Sequence, residues 1–305
     1  MRLKTDLGFA QLKNPVLPAS GCFGWGREYS ELFDLKELGA VVTKAVTPEA
    51  RLGNAGIRVA ETPAGMLNAI GLQNGGLAVA LQEDLPWLQQ QGVPILVNVA
   101  GRTEGDYLQV AEALGKYDLL GLELNLSCPN VKEGGITFGT DADGVYKLVS
   151  RVKEVCGLPL VVKLSPNVTD ITQPAQAAEA AGAQALTLIN TLRGMAIDIH
   201  SRRPLLGNLT GGLSGPAIKP VALAFVWQAA QVVDIPIIGC GGIAGVEDII
   251  EFLLAGAAAV QVGSATFADP LLLPRLVTEL EQWLEERNTS IQELVGAAHR
   301  GGSHD

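Results

Sequence analysis

Lys44 and Lys163 each sit inside a short run of apolar and β-branched residues, AVVTKAV over 40–46 and PLVVKLS over 159–165. An ammonium in such a run is costly to bury unless an anion meets it. The two lysines therefore either hold an anionic ligand or carry their charged ends out to solvent. Other polar residues close similar runs: Ser20 in PVLPASG, Asn98 in PILVNVAG, Asn125 in GLELNLS, and Asn190 and Thr191 in ALTLINT. Gly241 and Gly242 end PIIGCGG, and Gly263 and Ser264 end AVQVGSA. Glycines at such places either let backbone N–H groups approach a phosphate or serve only tight turns. Cys128, in NLSCPN, can act as a general base where neighbours stabilise its thiolate, or it can be a small buried hydrophobe. Its place at the start of a Gly-rich loop favours the first role. Cys156, in a helical segment, and Cys240, at a strand end, read as packing. Cys22 lies close enough to the first run to line a site and receives no role.

These residues need a scaffold that brings run ends together. Eight apolar runs recur along the chain, at 15–21, 40–46, 94–101, 121–127, 159–165, 185–191, 236–242 and 259–265. Their near-continuous apolarity marks strands covered on both faces, as in a parallel sheet. Amphipathic stretches such as YSELFDLKELG, TEGDYLQVAEALGKY, DGVYKLVSRVKEVCG and GVEDIIEFLLAGAA lie between them. Asp269 and Pro270 are expected to open the last helix. Eight alternations predict an α/β fold, a (β/α)8 TIM barrel spanning residues 1–305 as a single domain. A doubly wound sheet would call for a G-x-G-x-x-G after the first strand, and none is there. Two connections, 47–70 and 192–215, and a shorter Gly-rich one at 129–144 are too long for plain turns. They are predicted to extend over the C-terminal face of the strands, where barrels place their sites.

The chain has 305 residues, 48% hydrophobic and 18% charged, with a net charge of −10. No basic patch of the kind nucleic acid requires is present, so no nucleic-acid partner is expected. The apolar stretches break well short of bilayer length and the first residues lack a signal-peptide core, so the expectation is a cytoplasmic protein with no membrane partner. The four cysteines form no C-x-x-C pair and have no His at metal-ligand spacing, so no metal site is expected. His200, His299 and His304 form no triad, with His299 and His304 in a polar tail. Trp25, Trp87, Trp227 and Trp283 read as core or interface.

Over nearly the whole chain these motifs resemble the class 1 dihydroorotate dehydrogenases. The likeness is carried by NPVLPASG, TKAVTPEARLGN, ETPAGMLNAIGLQN, NLSCPNVKEGGITFG, VVKLSPN, LINT, GNLTGGLSGPAIKP, GCGGI and VGSAT. The resemblance implies oxidation of (S)-dihydroorotate to orotate in pyrimidine (UMP) biosynthesis, with FMN as hydride acceptor. Cys128 is implied as the base at C5 of the substrate. Lys44, Asn68, Asn125, Asn190 and Thr191, with the backbone of Ala69, Ile70, Gly71 and Leu72, are implied to bind the orotate ring and carboxylate. Ser20, Lys44, Ala45, Asn98, Asn125, Lys163 and Ile189 are implied FMN contacts, and Gly215, Gly241, Gly242, Gly263 and Ser264 its phosphate end. Lys163 would offset negative charge on the reduced flavin, and the 129–144 loop would close over the substrate.

RVAETPAGMLNAIGLQN and SCPNVKEGGITFGTDA resemble the 1B type, whose catalytic subunit passes electrons to NAD through a partner subunit carrying FAD and a 2Fe–2S cluster. This chain lacks both an iron–sulfur Cys cluster and a dinucleotide fingerprint, so the partner would supply them. A homodimer within a heterotetramer is the implied assembly. The fumarate-using 1A type and a dihydropyrimidine dehydrogenase-like FMN barrel are the near alternatives. Read from residues alone, a lyase or aldolase barrel with Lys163 as Schiff-base former, or a binding subunit without turnover, also stands open. GNAG at 53–56 and QNGG at 73–76 depart from the family pattern by placing Ala or Gly where proline is expected.

Overall fold

The computed structural model describes residues 2–126 and 141–300, together with the backbone of Lys132–Glu133 and Ile136–Thr137. Cys128, residues 129–131, 134–135 and 138–140 of the 129–144 loop, and His304 lie outside the described residues.

Eight parallel strands make the central sheet: β1 (Val16–Pro18), β2 (Val41–Val42), β3 (Ile95–Val99), β4 (Gly121–Asn125), β5 (Leu160–Lys163), β6 (Ala185–Leu188), β7 (Ile237–Cys240) and β8 (Ala257–Val262). The spatial order is β1-β8-β7-β6-β5-β4-β3-β2. Where β1 faces β2, the N–H of Gly39 donates to the carbonyl of Val16 at 3.0 Å, bringing the two ends of the sheet together. Helices follow the strands, among them Glu104–Leu114, Ala142–Val155, Thr172–Ala180, Lys219–Ala229, Val246–Leu254 and Leu272–Glu286. This is the α/β TIM barrel expected from the alternation of apolar runs and amphipathic stretches.

The strand period of two sorts the side chains. Ile95, Val97 and Val99, Leu122 and Leu124, Leu160 and Val162, and Leu186 and Leu188 face the helices in one large core. Leu17, Val42, Leu96, Val161, Ala185, Ile238 and Ala259 face inward and fill the barrel. An N-terminal hairpin, Thr5–Asp6 against Gln11–Leu12, adds Leu7 and Leu12 to that interior. Each strand thus buries both faces, which is why no polar alternation marks it in sequence.

Three local expectations need correction. The stretch YSELFDLKELG forms only a short helix, Arg27–Ser30, and a 3-10 turn, Leu35–Glu37. Asp34 breaks the pattern by accepting the N–H of Lys36 at 2.9 Å, the local side-chain bond that competes with a continuing helix. The last long helix begins at Leu272, not at Pro270; Asp269 instead accepts the N–H of Leu271 at 3.0 Å in the preceding turn. His299 is not in a tail. It stacks on Trp227 with ring centroids 3.7 Å apart, and its Nε2 lies 2.9 Å from the carbonyl of Ala255.

The connections 47–70 and 192–215 are not loose loops. Strands Val59–Thr62, Gly65–Asn68, Gly211–Ser214 and Leu192–Gly194 form one four-stranded antiparallel sheet drawn from both of them. Pairing of the two makes each long excursion rigid, and it roofs the C-terminal ends of the barrel strands.

Candidate active site

Between that roof and the barrel mouth lies a cleft of about 600 Å³, within the range of small-molecule sites. It is built from strand ends and from both long connections. Every predicted site residue among the described ones lines it: Ser20, Lys44, Ala45, Asn68, Ala69, Ile70, Gly71, Leu72, Asn98, Asn125, Lys163, Ile189, Asn190, Thr191, Gly215, Gly241, Gly242, Gly263 and Ser264. The predicted base, Cys128, is outside the described residues.

Lys163 ends β5 and is 3% exposed, so the solvent-reaching alternative does not hold for it. Its Nζ donates to Gln261 Oε1 at 2.9 Å and lies 3.5 Å from Ser20 Oγ and 3.8 Å from Cys240 Sγ. Burial opposes the charged form, but the Cys240 sulfur and the Glu123 carboxylate outweigh it and hold the ammonium above its ordinary value. Burial also pushes the Cys240 thiol up. That thiol is therefore protonated at neutral pH.

Lys44 follows β2 and is half-buried. Burial pulls its ammonium below the ordinary lysine value, Cys22 opposes that, and Arg58 adds to it. Arg58 itself is tied to Gln73 at 2.8 Å. A second cation nearby makes an anion the natural partner for this end of the cleft.

The amides are held by one another. Asn190 Nδ2 donates to Asn125 Oδ1 at 3.2 Å, and Asn190 Oδ1 accepts the N–H of Thr191 at 2.7 Å. Tyr107 donates its hydroxyl to the Asn125 carbonyl at 2.8 Å. Asn68, on the roof sheet, donates to the Gly212 carbonyl at 3.2 Å. Beside it, residues 69–72 turn sharply: Gly71 and Leu72 have φ of 79° and 55°. For leucine this is a strained conformation, and Asn54 holds it by donating from its side chain to Ala69 O and from its backbone to Ile70 O, each at 2.9 Å. At the far end Gly242 has φ 79°, and an added Cβ would stand 2.7 Å from the Lys219 backbone nitrogen. Only glycine fits that turn.

Two cysteine readings change. Cys240 is not simply packing, because it lines the cleft and neighbours Lys163. Cys22 lines the cleft as well, but burial and the nearby Cys240 push its thiol up to about 11, against smaller pulls from Lys163 and Lys44. Neither thiol suits proton removal at neutral pH. Sequence reasoning also passed over Glu123, Thr187 and Gln261, which are fully buried beneath the cleft. The available signal was a Glu in GLELN and a Gln in AVQVG, polar residues inside otherwise apolar strands. No helix of the described residues is long and apolar enough to cross a membrane.

The fold and the cleft define a (β/α)8 barrel with a cleft at its strand ends that carries cations at two levels, Lys44 and Lys163. The dihydroorotate dehydrogenase family model matches residues 2–284. A protein of Listeria monocytogenes serotype 4b (strain CLIP80459) is 56% identical over 295 residues, covering 96% of this chain and 97% of the relative. One of Bacillus caldolyticus is 53% identical over 305 residues, covering 99% of this chain and 97% of the relative. Both relatives bear the name dihydroorotate dehydrogenase B (NAD(+)), catalytic subunit. The chain belongs to the dihydroorotate dehydrogenase family.

Proposed function

We propose that the chain oxidises (S)-dihydroorotate to orotate on FMN in pyrimidine biosynthesis, as the cytoplasmic catalytic subunit of an NAD-linked dihydroorotate dehydrogenase. The observation that supports this best is the gathering of Lys44, Lys163 and the four asparagines Asn68, Asn98, Asn125 and Asn190 around one cleft. The names of the relatives from Listeria and Bacillus support the NAD-linked subclass.

The residues present fit FMN. Asn98 Oδ1 is buried with no hydrogen-bond partner among the described residues, so it calls for a donor such as a flavin ring N–H. Lys163 and Ser20 would offer the ring donors. Gly215, Gly241, Gly242, Gly263 and Ser264 form a side-chain-poor end suited to a phosphate. Bound FMN supplies the hydride acceptor. Lys44 holds the substrate carboxylate, while Asn68, Asn125, Asn190 and Thr191 orient the pyrimidine ring. Cys128 takes the proton from C5. Lys163 would hold fixed positive charge beside the flavin, where it would stabilise the negative charge of reduction.

Electrons would then pass to NAD through a partner subunit carrying FAD and a 2Fe–2S cluster, two catalytic chains of a homodimer being joined by two such partners. The purified chain alone, loaded with FMN, is expected to reduce an artificial dye with dihydroorotate and to leave NAD untouched. Sustained NAD reduction by the lone chain would overturn the subunit reading, and fumarate turnover would favour the 1A type. The central test is the anaerobic visible spectrum. A flavin band that bleaches on adding dihydroorotate supports the reading; one that bleaches only with dihydrouracil moves the chain to the dihydropyrimidine type. Absence of any flavin band, even after FMN is supplied, sinks it.

Lys44→Ala is expected to weaken orotate binding roughly tenfold or more, the loss of a charge-assisted hydrogen bond, with FMN retained. In the unaltered chain Lys44 must be charged to hold the carboxylate, and its value is lowered. Orotate affinity therefore falls as pH rises through a value below the ordinary lysine range of about 10.4. Titrating the flavin spectrum with orotate at several pH values checks both points. A pH-independent affinity that Lys44→Ala leaves unchanged would remove Lys44 from the substrate site.

A further inference from the structure

At the floor of the cleft the barrel interior changes character. Two positions beyond the apolar layer of Leu96, Val161, Ala185 and Ala259, the inward side chains are Asn98, Lys163, Thr187 and Gln261. Glu123 joins them, because it stands opposite Asn98 in the strand register. Lys163 is 3% exposed and the other four are 0%. Only Asn98 and Lys163 of the five line the cleft.

Glu123 sits at the centre of their hydrogen bonds. Its Oε1 accepts from Asn98 Nδ2 at 2.7 Å, and its Oε2 accepts from Thr187 Oγ1 at 2.8 Å and from Gln261 Nε2. A carboxylate only accepts, so both amides must turn their NH2 groups toward it. Asn98 is thereby left with its carbonyl oxygen free of any partner among the described residues. Gln261 is left with its carbonyl oxygen on Lys163 at 2.9 Å. The orientation of both amides follows from the acceptor-only character of one buried group.

We propose that Glu123 is a positioning residue that sets the hydrogen-bonding polarity of the cleft floor, presenting Asn98 as an acceptor and Lys163 as an anchored cationic donor to the FMN ring. This rests on the flavin reading of the cleft. Glu123 reaches no ligand itself; it acts through Asn98 on one side and through Gln261 on the other.

Changing Glu123 to glutamine shows why the charge is needed. The new amide has one accepting and one donating end. If the accepting end meets Asn98, its NH2 faces Gln261, which must turn over and aim its own NH2 at the Lys163 ammonium. If the accepting end meets Gln261 and Thr187, its NH2 faces Asn98, which must turn over and show a donor to the cleft. Either way a cleft group is disturbed: Lys163 loses the acceptor that anchors it, or Asn98 shows a donor in place of its acceptor. The double change Glu123→Gln/Gln261→Glu has no such conflict. The amide at 123 accepts from Asn98 and donates to the carboxylate at 261, and that carboxylate accepts from Lys163.

FMN titrated into the flavin-free full-length chain, followed by flavin fluorescence and absorption maximum, tests this. The wild type binds FMN. Glu123→Gln raises the dissociation constant roughly tenfold or more, about 1.4 kcal/mol, and shifts the flavin band. The double variant returns both close to wild type. A merely structural need for a buried polar group predicts the opposite order, with two changes worse than one. Wild-type affinity in Glu123→Gln overturns the proposal, as does a double variant that binds FMN no better than the single one. Should Glu123→Gln fail to fold, the double variant decides alone: folding with near wild-type FMN affinity supports the proposal, and failure to fold or bind overturns it. A wild-type chain that takes up no FMN removes the flavin reading itself, a result distinct from each of these.

Discussion

Cys128→Ala is expected to keep FMN bound and to lower dihydroorotate turnover roughly 10²- to 10⁴-fold, the usual worth of a positioned general base. The substitution removes the base proposed for the C5 proton but none of the residues proposed to hold the ring or the flavin. Neither of the thiols that line the cleft, Cys22 and Cys240, can take over. Burial holds Cys22 at about 11 and also raises Cys240, so both remain protonated at neutral pH. Since the thiolate is the working form, the wild-type rate should rise with pH through the thiol's titration. Cys128→Ser, with a far weaker acid at the same place, should fall between wild type and alanine only at alkaline pH. Rapid mixing of the oxidised chain with dihydroorotate under anaerobic conditions measures the step directly, as the rate at which the flavin band bleaches. A full wild-type bleaching rate in Cys128→Ala would refute the assignment.

Lys163→Met should do more general damage. The methionine fills nearly the same volume, so packing survives, but the cation that faces Gln261 and the Glu123 carboxylate is gone. Removing one member of a buried charged cluster leaves the other uncompensated and costs about 3 kcal/mol or more. The fold should therefore unfold at lower urea, and FMN content should drop with it. The sign of the pH effect follows from the raised Lys163 value. A group held above its unfolded value contributes stability that is complete below the ordinary lysine range and is lost as pH rises through the folded value. Wild-type stability should thus decline on the strongly alkaline side by an amount that Lys163→Met does not show. Urea midpoints for both chains across that range measure the difference. Equal midpoints and equal FMN content in Lys163→Met would mean that the cluster does not depend on its cation.

The two variants separate the two levels of the site. Cys128 is proposed to act on the substrate, and on that reading its loss should be visible in rate alone. Lys163 belongs to the barrel interior, where the cleft floor and the core are the same residues, so its loss should reach binding and stability together.

Much of this was readable before any tertiary structure. A barrel strand is covered on both faces, so each of the eight runs stands out as unbroken apolar sequence, and a polar residue at its end is conspicuous. That is how Ser20, Lys44, Asn98, Asn125, Lys163 and Asn190 could be singled out, and all six line the cleft. The helical stretch 29–39 was misread because apolar spacing alone does not register the competing side-chain bond of Asp34. The missing prolines are partly explained: Gly75 has φ −77°, close to the angle a proline ring imposes, so the backbone reaches the same conformation without it.

The sequence by itself determined the alternation of strands and helices, the residues at the strand ends, and the family, because these depend on local pattern and on motifs contiguous in the chain. Only the tertiary structure decided that the connections 47–70 and 192–215 pair into one sheet over the mouth, since Leu67 and Leu213 are far apart in sequence yet face each other across it. It alone joined Glu123 to Asn98, Thr187, Gln261 and, through Gln261, Lys163. Those five residues come from five strands, and what makes each affordable in an apolar barrel is a hydrogen bond to a residue on another strand, a relation that no single stretch of sequence contains.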